Sequence, residues 1–174
     1  MDEQKPQKKI TRVDGGEGNS APAGGGAAPF QVTAESKGRA KSLRLFAALA
    51  WVLAIAAEVG AIYMLTLDPI SMVWLIVLIA VDLALVITGT LLWKKSNRLD
   101  PASEKDKFRF FIQNQLGVII AVIAFLPLVI LIFTNKNITG KQKGILGSIA
   151  VVALLIAGIT GVDFNPPSIE QYAE

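Results

Sequence analysis

The sequence predicts an all-α membrane protein: four transmembrane helices in an antiparallel bundle, preceded by a disordered N-terminal tail. Of its 174 residues, 52% are hydrophobic, and the mean hydropathy is +0.51. These values are unusual for a soluble domain, which needs a polar surface comparable in extent to its core. The apolar residues also form long runs instead of recurring periodically, and such runs are typical of membrane spans.

The chain divides into a tail (residues 1–42), a transmembrane domain (43–163) and a short C-terminal tail (164–174). Residues 14–29 are rich in Gly, Ala and Pro, and they cannot bury enough apolar surface to offset the entropy lost on ordering. The apolar run begins too late for the tail to be a signal peptide. A basic cluster precedes the first span and consists of Lys37, Arg39, Lys41 and Arg44.

Each of four apolar segments is long enough to cross about 30 Å of hydrocarbon at about 1.5 Å per residue. They cover residues 45–65, 72–93, 110–133 and 144–162. The connection at 66–71 is so short that the first two spans must form a helical hairpin. Asp100 and Pro101 have the pattern of an N-cap followed by a helix-initiating proline, which predicts that the third helix starts there. Pro127 is expected to kink the third span, as neighbouring helices tolerate.

Basic residues decide the orientation of a multi-pass protein. The tail and the loop between the second and third spans carry most of them, and the first connector carries none. We therefore expect a cell-membrane protein with both termini in the cytosol. Three lysines in the connector between the third and fourth spans then lie on the outer side, although basic residues are normally retained in the cytosol. They are Lys136, Lys141 and Lys143.

Two carboxyl groups interrupt the spans, Glu58 in the first and Asp82 in the second. An acid at mid-bilayer costs about 2.5–3.5 kcal/mol on insertion scales, and no Lys or Arg lies within a span to neutralise it. Counted from the turn, the two acids differ in depth by about 6 Å, so they could meet between the helices and share a proton. The pair is either a proton or cation site, or two neutral acids that hydrogen-bond across helices and fix the bundle's register. The scarcity of other polar groups in the spans favours the second interpretation.

Catalysis, cofactors and metals are not expected. The sequence lacks cysteine and histidine, which excludes thiolate nucleophiles, Cys/His zinc sites and histidine bases. It also lacks a phosphate-binding glycine loop, a dinucleotide fingerprint and a nucleophile elbow. The basic residues of the distal tail are interleaved with acids and unaccompanied by aromatics, so no nucleic-acid role is expected for it. They are Lys5, Lys8, Lys9 and Arg12. The cluster before the first span can instead contact anionic lipid at about 1 kcal/mol per charge, or serve only to set the topology.

The first functional hypothesis is therefore a structural or accessory membrane module of unknown activity and not an enzyme. It would contact the bilayer, and it would associate with itself or with a membrane partner. The alternative is a small proton- or cation-linked transporter or channel that uses Glu58 and Asp82.

The end of the chain carries a helix signal. Pro166 and Pro167 end any preceding helix, and Ser168 and Gln171 then have the spacing of a capping box. This spacing predicts a helix that starts at Ser168 and is cut short by the end of the chain, or else a frayed tail with a chance match. Residues 44–63 and 163–173 (DFNPPSIEQYA) resemble uncharacterised small bacterial four-helix membrane proteins. The resemblance covers only the membrane part and implies no activity, although it implies that a soluble segment follows the last span in some of them.

Overall fold

The computed structural model describes residues 32–172. Within this range the chain forms four α-helices: α1 (Ala34–Met64), α2 (Met72–Leu99), α3 (Lys107–Thr134) and α4 (Gly140–Gly161). Each is long and apolar enough to cross a membrane. The predicted fold class, an all-α membrane protein with four spanning helices, is confirmed for these residues. The disorder predicted for residues 1–31 lies outside the described part of the chain.

Helix α1 begins earlier than expected, inside the stretch to residue 42 that was predicted to be disordered. Thr33 caps the helix, and its hydroxyl accepts a hydrogen bond from the backbone N–H of Ser36 (3.1 Å). One turn later, Arg39 forms an i,i+4 ion pair with Glu35 (2.7 Å). The basic cluster consists of good helix formers, so a cap is enough to extend the span into the polar region.

The predicted start of α3 at Asp100 and Pro101 is wrong. Asp100 instead follows the last turn of α2 as its C-cap, and α3 begins at Lys107. The cap of α3 is Asp106, whose side chain accepts a hydrogen bond from the backbone N–H of Arg109 (3.2 Å). Asp100 has the local sequence pattern of an N-cap, but it forms contacts with residues distant in the sequence instead.

Two other helices extend beyond their predicted spans, since α2 ends at Leu99 and α4 begins at Gly140. Pro127 lies inside α3 with its side chain exposed, and the kink stays a prediction. Helix α4 starts with a complete capping box between Thr139 and Gln142.

The helices pack as two hairpins, α1 against α2 and α3 against α4, and α2 also contacts both α3 and α4. Large side chains fill the core toward the α1–α2 turn, where Leu75, Ile79, Phe125, Leu128 and Ile132 are fully buried. Many large apolar side chains face outward, as expected where lipid and not water covers the surface. Helices α3 and α4 approach closely at Gly161, where an added Cβ would lie 2.6 Å from the carbonyl carbon of Gly117.

Candidate functional site

Glu58 and Asp82 both lie in the interior of the bundle, with 5% and 1% of their surfaces exposed. They belong to α1 and α2, which pack directly against each other. Glu58 shares the buried face of α1 with small residues such as Ala54 and Ala61, which let helices approach closely. The α1–α2 hairpin thus buries both of the acids that the sequence singled out.

Within residues 32–172, neither acid makes the cross-helix hydrogen bonds that a register-fixing role would use. Oε1 of Glu58 and both carboxyl oxygens of Asp82 are buried without a hydrogen-bond partner among the described residues. An ionised carboxylate in this position would carry a desolvation penalty of several kcal/mol. The interior therefore suits a pair of acids neutralised by a proton or a cation.

More polar groups lie in the interior than the sequence suggested. Trp51 lies against Gly89, where an added Cβ would be 2.6 Å from the indole Nε1. This indole nitrogen and the hydroxyl of Thr90 are also buried without partners among the described residues. Along α1, Trp51 lies about 10 Å from Glu58, and along α2, Thr90 lies about 12 Å from Asp82. Both lie toward the end of the bundle that holds the N-terminus of α1.

The interior is asymmetric about the two acids. In the direction of the α1–α2 turn, the buried residues of these helices are apolar, such as Leu65, Leu75 and Ile79. In the opposite direction, Thr90 and Asn97 follow Asp82 on α2. We call this second end, which holds the N-terminus of α1, the end of α2 and the start of α3, the polar end.

Asp100 is the centre of the polar end. Its carboxylate accepts a hydrogen bond from Arg44 Nη1 at 3.1 Å, and Arg109 lies 3.8 Å away. Its backbone carbonyl accepts hydrogen bonds from Arg44 Nη2 (3.1 Å) and Gln113 Nε2 (2.7 Å). This one residue therefore joins α1, α2 and α3.

The backbone carbonyl of Gln113 provides a second junction. It accepts hydrogen bonds from Trp93 Nε1 (2.7 Å) and from Asn97 Nδ2 (2.5 Å). The centroid of the Trp93 ring lies 5.3 Å from that of the Trp51 ring. The Arg44 guanidinium lies 5.8 Å from the Trp93 centroid. The polar end is thus a connected network that reaches inward to the level of Trp51.

The segment after α4 docks onto the loop between α2 and α3. Ile169 donates its N–H to the carbonyl of Ala102 (3.2 Å), and Glu170 accepts hydrogen bonds from the Ser103 hydroxyl and the Glu104 N–H. The Ser103 hydroxyl above all, and then the Glu104 N–H, hold the pKa of the Glu170 carboxyl below its usual range.

The helix expected after Ser168 is a single 3₁₀ turn, Glu170–Tyr172. Half of the capping box forms, since Gln171 donates its N–H to the Ser168 hydroxyl (3.3 Å). No local pattern in the sequence predicted the docking of this segment, because its partners lie more than 60 residues away in the chain.

The four basic residues predicted to contact anionic lipid lie in two environments. Lys37, Arg39 and Lys41 are exposed on the first turns of α1. Arg44 instead points toward Asp100, with 26% of its side chain exposed, so its main partner is in the protein.

The described residues contain no cluster of three or more acids that could hold a metal ion. No protein-family model matches the chain, nor does any curated protein or solved structure.

Proposed function

We propose that the protein is a small proton-linked transporter or gated channel in which Glu58 and Asp82 bind and release protons. The observation that carries this proposal is the burial of both acids with carboxyl oxygens that have no hydrogen-bond partner among the described residues. Such groups are rare in spans and typically mark proton or ion pathways. The chain is an integral membrane protein by the length and apolarity of its helices.

A proton fits the pair better than a divalent metal cation does. Two carboxyl groups supply at most four oxygens, whereas Ca²⁺ takes six to eight oxygen ligands and Mg²⁺ requires near-ideal octahedral geometry. A proton needs only one oxygen, and a second acid nearby can share it.

Access to the pair is proposed from the polar end. Trp51 and Thr90 lie between the acids and the Asp100 network, and each carries a buried polar atom with no partner among the described residues. These atoms can take part in a chain of hydrogen bonds when water or a moving side chain bridges the gaps. The apolar residues on the other side, Leu65, Leu75 and Ile79, form a block that only a displacement of the helices would open. A gated path therefore fits the bundle better than an open pore.

The polar end is proposed to face the cytosol. It holds the basic first turns of α1 and the basic loop before α3, and such residues are retained on the cytosolic side. The lysines of the α3–α4 connector would then lie outside. One of them has a local reason to be there, because Lys143 donates a hydrogen bond to the carbonyl of Phe133 near the end of α3 (3.1 Å).

A structural or accessory module without catalytic activity is the second candidate. The contacts of Arg44, Asp100 and Gln113 favour it, because they fasten three helices at one end. In this role the protein would present its apolar faces to lipid, to a second copy or to a membrane partner, and the buried acids would be incidental to its activity.

Flux measurements distinguish the two candidates. The full chain would be reconstituted in vesicles with an internal pH dye, and a potassium diffusion potential would drive protons inward. We expect uptake above that of empty vesicles, and a loss of about tenfold or more in Glu58→Gln and Asp82→Asn, since removing a required proton carrier blocks the path. Thr88→Val is the matched control, because Thr88 is exposed on α2 and, among the described residues, its hydroxyl bonds only to a carbonyl of its own helix.

Thermal unfolding in detergent would be measured on the same variants. Lost flux with unchanged stability supports the proton site. Lost stability, with no flux above background even in the unmodified chain, would rule out transport and favour the structural module.

A further inference from the structure

A pocket of about 410 Å³ opens at the polar end, beside the first turns of α3. Most of its wall is apolar and comes from Phe110, Phe111 and Pro166. Its polar lining includes Glu104, Lys107 and Asn114. None of these residues takes part in the proposed proton path, so the pocket is a separate feature of the molecule.

Asn114 is the buried polar group of this pocket, with 5% of its surface exposed. Its Nδ2 donates a hydrogen bond to the carbonyl of Phe110 (3.0 Å), whereas its Oδ1 is buried without a partner among the described residues. A buried acceptor left in this state is unfavourable unless a donor reaches it. The pocket therefore suits a ligand that carries an N–H or O–H group.

The two charged residues of the lining further restrict the class of ligand that the pocket can bind. Glu104 and Lys107 are both exposed, so the pocket offers one negative and one positive charge beside the buried acceptor. A ligand that matches this arrangement carries a cationic donor and an anion a few atoms apart. The apolar wall adds a surface for a hydrocarbon chain.

The pocket is also expected at headgroup depth. Helix α3 has 28 residues and is about 42 Å long, more than the roughly 30 Å of the hydrocarbon core. Part of the helix must therefore lie outside this core, and the charged residues Lys107 and Arg109 favour its first turns as that part. At this level Phe108 and Phe111 expose 78% and 56% of their surfaces. Exposed aromatic side chains at this level contact lipid.

We propose that this pocket binds the headgroup of a zwitterionic phospholipid with a primary ammonium group, of the phosphatidylethanolamine type. The ammonium donates a hydrogen bond to Asn114 Oδ1 and is attracted by Glu104, while the phosphate is held by Lys107. An acyl chain follows Phe110 and Phe111. A choline headgroup has the same charges but no N–H donor, so the pocket discriminates against it.

Native mass spectrometry of the full chain in detergent tests the proposal. Phosphatidylethanolamine, phosphatidylcholine and phosphatidylglycerol with identical acyl chains would be added separately. We expect the ethanolamine lipid to bind about tenfold more tightly than the choline lipid, as one hydrogen bond to a charged donor implies. Equal binding of these two lipids, or a preference for the anionic glycerol lipid, would overturn the proposal.

Two variants of Asn114 sharpen the test. Asn114→Leu removes the acceptor at similar volume and should abolish the preference, whereas Asn114→Asp keeps an acceptor and should retain it. Asn137→Leu is the control, because Asn137 is exposed in the connector at the opposite end. A helical circular dichroism spectrum would establish that each variant is folded. A folded Asn114→Leu chain that still prefers ethanolamine would contradict the proposed contact.

Discussion

At the scale of single residues, Asp82 is an acid whose burial opposes stability. Both of its oxygens lack partners among the described residues, and 1% of its surface is exposed. Replacing it with Leu should raise the free energy of unfolding by about 2 kcal/mol, the order of the insertion penalty for an acid. Chemical denaturation in mixed micelles would measure the change. Val81→Leu, on the lipid-facing side of the same turn, should leave stability unchanged, and a destabilised Asp82→Leu chain would mean that Asp82 holds the helices together.

Gly89 is a second residue with a sharp local requirement. A Cβ there would lie 2.6 Å from Trp51 Cδ1 and Nε1, so Gly89→Ala should overpack the α1–α2 interface. We expect a loss of about 1–3 kcal/mol in the free energy of unfolding. Gly158→Ala is the matched control, because no atom lies within 4 Å of its added Cβ, and it should be neutral or stabilising. Equal effects of the two changes would contradict the close contact.

At the scale of the elements, the Arg44–Asp100 pair joins α1 to the end of α2. Asp100→Asn keeps the shape of the side chain but leaves a half-buried guanidinium with a weaker partner. We expect a loss of about 1–2 kcal/mol, discounted for the partial exposure of both groups. The control is Glu35→Gln, which breaks a pair whose side chains are 71% and 74% exposed and should change stability by less than about 0.5 kcal/mol. If both variants show the same small loss of unfolding free energy, the Arg44–Asp100 pair does not hold α1 and α2 together.

The docked C-terminal segment should respond to acid. The pKa of Glu170 is lowered in the folded state, chiefly by the Ser103 hydroxyl and then by the Glu104 N–H. Its contribution is therefore present above the ordinary glutamate pKa of about 4.3 and is lost as the pH falls below that value. Hydrogen exchange at the Ile169 amide, which bonds to Ala102, should accelerate below about pH 4.

Two variants identify the group responsible. Glu170→Gln should show fast exchange at Ile169 and little further change with pH. Ser103→Ala should shift the transition toward higher pH, because the largest cause of the lowered pKa is removed. Exchange in the unmodified chain that is independent of pH, after correction for the intrinsic rate, would show that Glu170 does not hold the segment.

At the scale of the whole molecule, the proposed orientation can be read directly because the sequence has no cysteine. Lys41→Cys at the polar end and Asn137→Cys at the opposite end are both at exposed positions. In intact cells, a membrane-impermeant maleimide should label only the residue at 137. The reverse pattern would place the polar end outside and the proposed proton access with it.

The sequence alone determined the spans, the α1–α2 hairpin and the presence of two acids at similar depth. The spans follow from hydropathy, which each segment has independently of the rest of the chain. The hairpin follows from the short turn, which allows the first two helices only an antiparallel arrangement. The same local reasoning was wrong at Asp100, predicted to be the N-cap of the third helix, and at residues 34–42, predicted to be disordered. The structure instead caps α3 with Asp106, and Thr33 caps a helix that includes residues 34–42.

Only the tertiary structure decided which side chains share an environment. It turned Arg44 from a candidate lipid contact into the partner of Asp100, and it joined Glu170 to Ser103. It also left Asn114, Thr90 and the two acids with buried atoms that have no partner in the part of the chain that the structure describes. Such relations depend on which faces of which helices meet, since a hydrogen bond requires atoms within about 3 Å. Helices joined by loops can satisfy one hydropathy pattern with many different pairings of faces, and packing selects among them.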